Sequence, residues 1–342
     1  METINFEKLK KPYFIAEIGG NHAGEKKFAL EGIKNAKKSG ADCVKFQMYR
    51  AEDLIIKTMP VMQHVKSIGK EKFQFERFKK LEINENDIKD YYKACRKAKI
   101  HLSVTPFYED CIKFLSNYVS FFKIASGDIN YFPLIEKISN FKKPVVVSTG
   151  MSSEKEIKET LKILKNNQVI LLHCVSCYPT YEKDLNLKSF EMLKKFNKIL
   201  GFSDHTKGVS GAVMSLSYGA MVFEKHFLPN MKVKKVGDFK LSLNPNELKE
   251  YIETINHSFL SIGQKRNGYF KNEKIFFKTL RRSPYFNLSK KKNDKLYLKD
   301  ISFLRPFDKK GIDINEIKNF FKKTLKKSIN KNQLLKKDQF KA

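Results

Sequence analysis

Eight short apolar runs alternate with eight longer helical patterns in the first 262 residues, and this order constrains the fold more than any other feature. The runs are Tyr13–Glu17, Cys43–Gln47, His101–Thr105, Phe121–Ala125, Val145–Ser148, Ile170–Val175, Ile199–Phe202 and Met221–Lys225. Their length and their content of Val, Ile and Phe predict strands. Helical patterns follow near residues 27–38, 85–98, 109–117, 133–139, 153–165, 187–196, 207–218 and 246–262. Two begin with clear start chemistry: Ser153 precedes Glu154 and Glu156, and Asn244-Pro245 precedes Glu247. A capping oxygen accepts from otherwise unpaired N–H groups, and carboxylates suit the positive end of a helix. Eight strand–helix units in about 250 residues predict a closed (β/α)8 TIM barrel, an α/β fold. A doubly wound open sheet is the alternative, but no Gly-x-Gly-x-x-Gly loop follows the first run.

Residues 48–84 read as an insertion after the second strand, on the face where barrel active sites sit. The charge balance changes near Gly263–Gly268: residues 266–342 carry +16 of the formal +30. The expected division is a barrel over 1–265, a linker over 266–280 and a small appended domain over 281–342. Strand-like pieces at Leu296–Leu298 and Ile301–Arg305 and a Lys-rich helix are expected in that tail.

The charge suits nucleic acid, so a basic nucleic-acid-associated protein is the reading from another class. Its make-up argues otherwise. Only seven of the 67 basic residues are Arg, whereas base readout leans on the bidentate Arg fork. The lysines are spread over helix faces, as in Ile33-Lys34-Asn35-Ala36-Lys37-Lys38, and read as solvated. No nucleic-acid partner is expected. No apolar run approaches the ~18 residues of a membrane span, and Met1–Lys11 has no apolar core of a secretory leader. A cytoplasmic protein without a membrane partner is the expectation. The five cysteines, Cys43, Cys95, Cys111, Cys174 and Cys177, are odd in number and scattered, which predicts free thiols. Cys174-Val-Ser-Cys177 has the spacing of a redox or zinc half-site but lacks a second pair, so core packing is expected.

In a barrel, every strand delivers its carboxyl end to one mouth. Those ends carry Glu17, Asn21 and His22; Lys45 and Gln47; Thr105; Lys123, Ser126 and Asp128; Ser148 and Thr149; Ser176 and Tyr178; Asp204 and His205; and Glu224, Lys225 and His226. Lys45 and Lys123 with Ser126, Ser148 and Ser176 form a cationic, hydroxyl-rich set suited to a phosphate. His205 and His226 end neighbouring strands, so their imidazoles could converge on one divalent ion, with Glu17 or Asp238 and water completing an oxygen-rich sphere. These residues alone point to a metal-dependent barrel enzyme acting on a phosphorylated substrate.

The blocks Phe14–Gly24, Ala41–Gln47, Thr105-Pro106-Phe107, Phe122–Asp128, Val147–Met151, His173–Thr180, Phe202–Thr206 and Phe223–Phe227 resemble, in order, the sialic acid (nonulosonate) synthase family over residues 12–262. The tail resembles that family's antifreeze-like domain through Arg281-Arg282-Ser283, Ile301–Pro306 and Gly311-Ile312. The resemblance implies condensation of phosphoenolpyruvate with an N-acetylmannosamine-type sugar and release of phosphate. Legionaminate or pseudaminate synthesis from a diacetamido-trideoxyhexose is the alternative within the family. It implies a divalent metal, manganese or magnesium, on His205 and His226, and phosphoenolpyruvate on Lys45, Lys123, Ser126, Ser148 and Ser176 beside Thr105. It further implies Glu17 as a catalytic residue that positions water, and Gln47, Asp128, Tyr178 and Asp238 around the sugar. Arg282 would reach the sugar from a partner subunit in a domain-swapped homodimer.

Overall fold

The computed structural model describes residues 3–62, 71–233 and 238–341. Eight parallel strands close on themselves in sequence order: β1 (Tyr13–Glu17), β2 (Cys43–Met48), β3 (His101–Pro106), β4 (Phe121–Ile124), β5 (Val145–Ser148), β6 (Val169–Cys174), β7 (Ile199–Asp204) and β8 (Ala220–His226). β8 pairs back onto β1, with Glu17 opposite His226. The closed TIM barrel is therefore the architecture, and the open-sheet alternative falls. The first unit also carries α1 (Lys26–Lys38), α2 (Ala51–Leu54), α3 (Gln74–Leu81), α4 (Glu85–Ala98), α5 (Cys111–Leu115), α6 (Phe132–Ser139), α7 (Glu154–Ile163), α8 (Phe190–Lys194), α9 (Ser210–Leu216) and α10 (Pro245–Ile262). The starts read from sequence hold: Ser153 with Glu156, and Asn244 with Glu247, form reciprocal capping boxes on α7 and α10. The patterns near 109–117, 187–196 and 207–218 shrink to the shorter α5, α8 and α9. The insertion holds α2 and α3; its residues 63–70 lie outside those described.

Strand alternation sorts the side chains into two layers. Outward residues such as Val44, Phe46 and Val104 join the large core beneath the helices, where Phe46 stacks on Tyr91 of α4 at 4.6 Å. Inward residues Tyr13, Ile15, Cys43, Phe121, Val146, Ile170, Leu172 and Val222 fill the lower barrel, together with Phe6. Phe6 meets Tyr13 and Phe121 edge-on and donates its N–H to Gln168. The barrel is thus dry and packed at its amino end, which leaves the polar residues to the carboxyl end.

Alternation also redistributes the strand-end residues read from sequence. Asp204 and Lys225 point outward, away from the mouth, and form a buried ion pair of 3.1 Å. Tyr251 of α10 donates to Asp204 (2.9 Å), and the Thr206 N–H and hydroxyl do so as well. They clamp α10 to the barrel. Asn21 is likewise structural, donating to the Phe227 carbonyl and to Ser242.

The second compact unit begins at Gln264. The stretch expected as a linker, 266–280, carries α11 (Lys274–Leu280) and an Arg266–Glu273 ion pair. Beyond it, β9 (Ser283–Phe286) and β10 (Ile301–Leu304) pair antiparallel. Phe286, Leu296, Ile301, Ile312, Ile317, Leu325, Ile329, Leu335 and Phe340 form a separate core. The expected Lys-rich helix is a 3-10 segment, Ile314–Phe320, and Leu296–Leu298 is not a strand. The five cysteines are free. Cys177 is exposed, so the core packing expected for it does not occur. No helix among the described residues is long and apolar enough to cross a membrane.

His22 is buried, and its Nδ1 accepts the Gly24 N–H at 3.1 Å, which requires an unprotonated nitrogen. Burial lowers its pKa to about 4. The unfolded chain, with an ordinary histidine pKa near 6.5, binds this proton first, so the contribution is full above pH 6.5 and is lost as pH falls toward 4. We expect urea stability to drop over that window by about 3 kcal/mol more in the wild type than in His22→Asn, whose amide oxygen can accept the same bond. Equal pH profiles for the two proteins would refute this role.

Candidate active site

Lys45 on β2 and Lys123 on β4 project into the upper barrel and are 3% and 2% exposed, too buried to rely on solvent for their charge. Each is compensated by a carboxylate. Glu17 of β1 lies 2.7 Å from Lys45, and Glu224 of β8 lies 3.7 Å from Lys45 and 3.8 Å from Lys123. Neutral donors and acceptors complete the set: Lys45 donates to Thr105 (3.1 Å), Lys123 to Ser148 (2.7 Å) and to the Ile124 carbonyl (3.0 Å). Gln47 donates to Glu17 (2.8 Å), and Ser203 to Glu224 (2.9 Å).

Electrostatics differ around this ring. Burial opposes the charge on Glu224, but Lys123 and Lys45 outweigh it and hold the pKa at about 2. Glu17 goes the other way: burial raises it, Lys45 opposes, and Glu224 adds to the rise. At Lys45 burial is overcome by Glu17 and Glu224, and the ammonium is favoured. At Lys123 burial wins, against Glu224 and with the help of Lys45, and the pKa falls. Lys123 is the cation that depends most on its carboxylate neighbour.

Across the mouth, the rings of His205 and His226 are 5.4 Å apart, with Tyr178 4.3 Å from His205 and 6.1 Å from His226. His205 donates from Nδ1 to the Val175 carbonyl (2.8 Å), because a carbonyl can only accept. Its other nitrogen is left for a ligand, the usual orientation of a metal-binding imidazole. Burial works against a charge on His205, but Cys174, 3.8 Å away, and Val175 raise its pKa to about 9, so an ion binding at its other nitrogen would displace a proton. Burial lowers His226 to about 4, so it is neutral at pH 7. Its Nδ1 is buried without a hydrogen bond, 3.7 Å from Asp238. That gap is too long for a hydrogen bond and short enough for both atoms to reach one ion. Among the described residues no three His, Cys, Asp or Glu side chains converge into a complete ion cage. The donors fit a divalent ion held by two imidazoles, with the remaining sites left to oxygens of substrate and water.

One cavity of about 780 Å³ connects these groups. It is lined by Glu17, Lys45, Gln47, Thr105, Lys123, Ser126, Asp128, Ser148, Ser176, Tyr178, His205, His226 and Asp238, which is every site residue read from sequence except Arg282. Arg282 belongs to the second unit, where it is exposed and donates to the Phe303 carbonyl. Besides the His226 nitrogen, Ser176 Oγ and Asp128 Oδ2 are buried in the cavity wall without partners. Orphaned buried polar atoms at one place mark a ligand site. Burial raises Asp128 to about 6, against the pull of Lys123. Cys174 is buried, as expected, and also lines the cavity.

Residues 32–267 match the NeuB family. The chain belongs to the NeuB family. It is 31% identical to the N,N'-diacetyllegionaminic acid synthase of Campylobacter jejuni, covering 96% of this chain and 99% of that one. It is 31% identical to the pseudaminic acid synthase of the same organism over 90% of each. The crystal structure of the N-acetylneuraminic acid synthetase of Leptospira borgpetersenii, in complex with citrate, superposes with a TM-score of 0.70 at 28% identity, covering 80% of this chain and 94% of that one. Membership makes this chain a nonulosonic acid synthase, a phosphoenolpyruvate-dependent transferase that forms a C–C bond.

Two site features went unassigned in the sequence. Glu224 stood among the polar strand ends without a role. The period of two would have placed it inside with His226 and sent Lys225 outside. Gly150 gives no sequence signal, yet a Cβ there would fall 2.4 Å from Ser176 Oγ and 2.9 Å from Ser126 Oγ, and its N–H donates to Ser126. Only glycine leaves both hydroxyls room at this place in the cavity wall. We expect Gly150→Ala to raise the KM for phosphoenolpyruvate roughly tenfold, the loss of one or two hydrogen bonds, while circular dichroism stays native. An unchanged KM in steady-state assays would contradict the placement.

Proposed function

We propose that this NeuB family chain condenses phosphoenolpyruvate with a 2-acetamido sugar aldehyde of the N-acetylmannosamine type, releasing phosphate and leaving a nonulosonic acid. One observation carries the proposal: two compensated lysines with three hydroxyls face two imidazoles across a single cavity whose walls hold orphaned polar atoms. Lys45 and Lys123 take the anionic donor, with Ser126, Ser148 and Ser176 filling the remaining acceptor directions of its phosphate. His205 and His226 would hold a divalent ion, manganese or magnesium, which when bound polarises the aldehyde carbonyl. Gln47, Asp128, Tyr178 and Asp238 orient the open-chain sugar so that its carbonyl carbon meets the enol carbon.

In the reaction, the enol carbon forms a bond to the aldehyde carbon, whose oxygen takes up a proton. Water adds to the resulting cationic carbon, and Glu17 accepts the proton that this water sheds. Burial raises its pKa, which makes its carboxylate a stronger base. The same carbon then expels phosphate with cleavage of its C–O bond, and its hydroxyl proton passes to the departing phosphate, leaving a ketone. Burial limits the bulk water that can reach the enol ester before the acceptor has reacted.

The experiment is a phosphate-release assay with phosphoenolpyruvate, manganese and a panel containing N-acetylmannosamine, its 6-phosphate and a diacetamido-trideoxyhexose. At least one sugar should release one phosphate per enolpyruvyl group consumed. His226→Ala should lower kcat/KM by about 10²-fold or more, the scale of losing an electrophilic stabiliser. Folded protein that releases phosphate with none of these sugars, or a fully active His226→Ala, would overturn the proposal.

A further inference from the structure

The insertion between β2 and β3 contributes its own wall to the cavity, and one residue in it has no role in the chemistry above. Arg77 of α3 is 8% exposed and lines the same cavity as Lys45 and His226. Among the described residues it has no hydrogen bond or ion pair. The acids nearby form their ion pairs with lysines, Glu52 and Glu82 with Lys79 and Glu71 with Lys80, and Glu71 feels Arg77 only as a weaker, longer-range attraction. A guanidinium cannot shed its charge by deprotonation, and leaving its donors unpaired in a buried site is costly. Apart from Gln74 and Arg77, the described side chains of residues 54–81 that line the cavity are apolar: Leu54, Ile55, Met59, Met62, Phe78 and Leu81. Phe78 packs on Tyr49 at 5.1 Å and fixes α3 above the end of β2. One fixed cation in an apolar wall is the receptor for a single oxyanion.

We propose that Arg77 sets acceptor specificity by binding an anionic substituent, a phosphate ester or a carboxylate, at the end of the sugar away from its aldehyde. The inference rests on the reading that this cavity takes an acceptor sugar. The donor's charges already have receptors in Lys45 and Lys123, on the inward faces of β2 and β4, whereas Arg77 comes from the insertion. The planar fork of Arg suits a bidentate oxyanion, and an apolar wall strengthens the pairing.

The test compares acceptors that differ only at that end: N-acetylmannosamine, its 6-phosphate and its 6-carboxylate. Wild type should prefer an anionic acceptor, and the phosphate and carboxylate arms identify which. In Arg77→Met the ratio of kcat/KM for the anionic over the neutral acceptor should fall roughly 10- to 100-fold, with Arg77→Lys intermediate. Arg77→Met should melt no lower than wild type, since it removes an unpaired buried charge. A wild type that prefers the neutral sugar, an unchanged ratio, or a matching rise in the KM for phosphoenolpyruvate would overturn the assignment. Absence of turnover with every sugar would instead strike the proposed function itself.

Discussion

Two ammonium groups and two carboxylates share the upper barrel almost out of reach of water, and the remainder of the site depends on their mutual compensation. Each such ion loses several kcal/mol of hydration on burial. A quartet in which Glu224 bridges both lysines, and Glu17 meets Lys45 at 2.7 Å, recovers enough attraction to keep the charges. Such an arrangement is weak evidence for stability, because an apolar core of equal volume would serve the fold as well. Its presence supports the proposed function: it would hold a cationic receptor, already assembled, for a phosphorylated donor.

The barrel makes this possible by separating its interior along the strand axis. Phe6, Tyr13, Ile15, Phe121 and Val222 form a dry floor, so every inward position above them opens only toward the mouth. Outside the strands the second buried ion pair, Lys225 with Asp204, has a different duty: with Tyr251 it anchors α10. Neighbouring residues on one strand thus line the cavity or bind the helix layer according to the face they occupy. Glu224 and His226 look inward, and Lys225 looks out.

Much of this was legible in the sequence because the periodic signals are strong. Eight alternating runs and the capping oxygens of Ser153 and Asn244 were enough for the barrel and for two helix starts. Strand-end placement gathered the lysines, hydroxyls and imidazoles without knowledge of any distance. What could not be read depended on orientation or on close approach. Asp204 and Lys225 look like mouth residues until alternation is applied strictly. Gly150 matters because of atoms that only folding brings within 3 Å. Arg77 is unremarkable on a helix whose face toward the cavity is set by tertiary packing. The tail misled for another reason: a stretch without a continuous apolar stripe settles into a short 3-10 turn around a small core, as at Ile314–Phe320, which Asp313 caps.

The central claim is that Glu224 keeps Lys123 charged, and calorimetric titration of phosphoenolpyruvate into wild type and Glu224→Gln tests it most directly. Simple Coulomb reasoning says that removing a carboxylate from the cavity tightens binding of an anion. Here Lys123 is already pushed down by burial and by Lys45, so loss of Glu224 should let it discharge and remove a cation from the receptor. The account predicts binding weaker by about tenfold or more in folded Glu224→Gln, the scale of one lost charge-assisted contact. Binding as tight as wild type, or tighter, would contradict it.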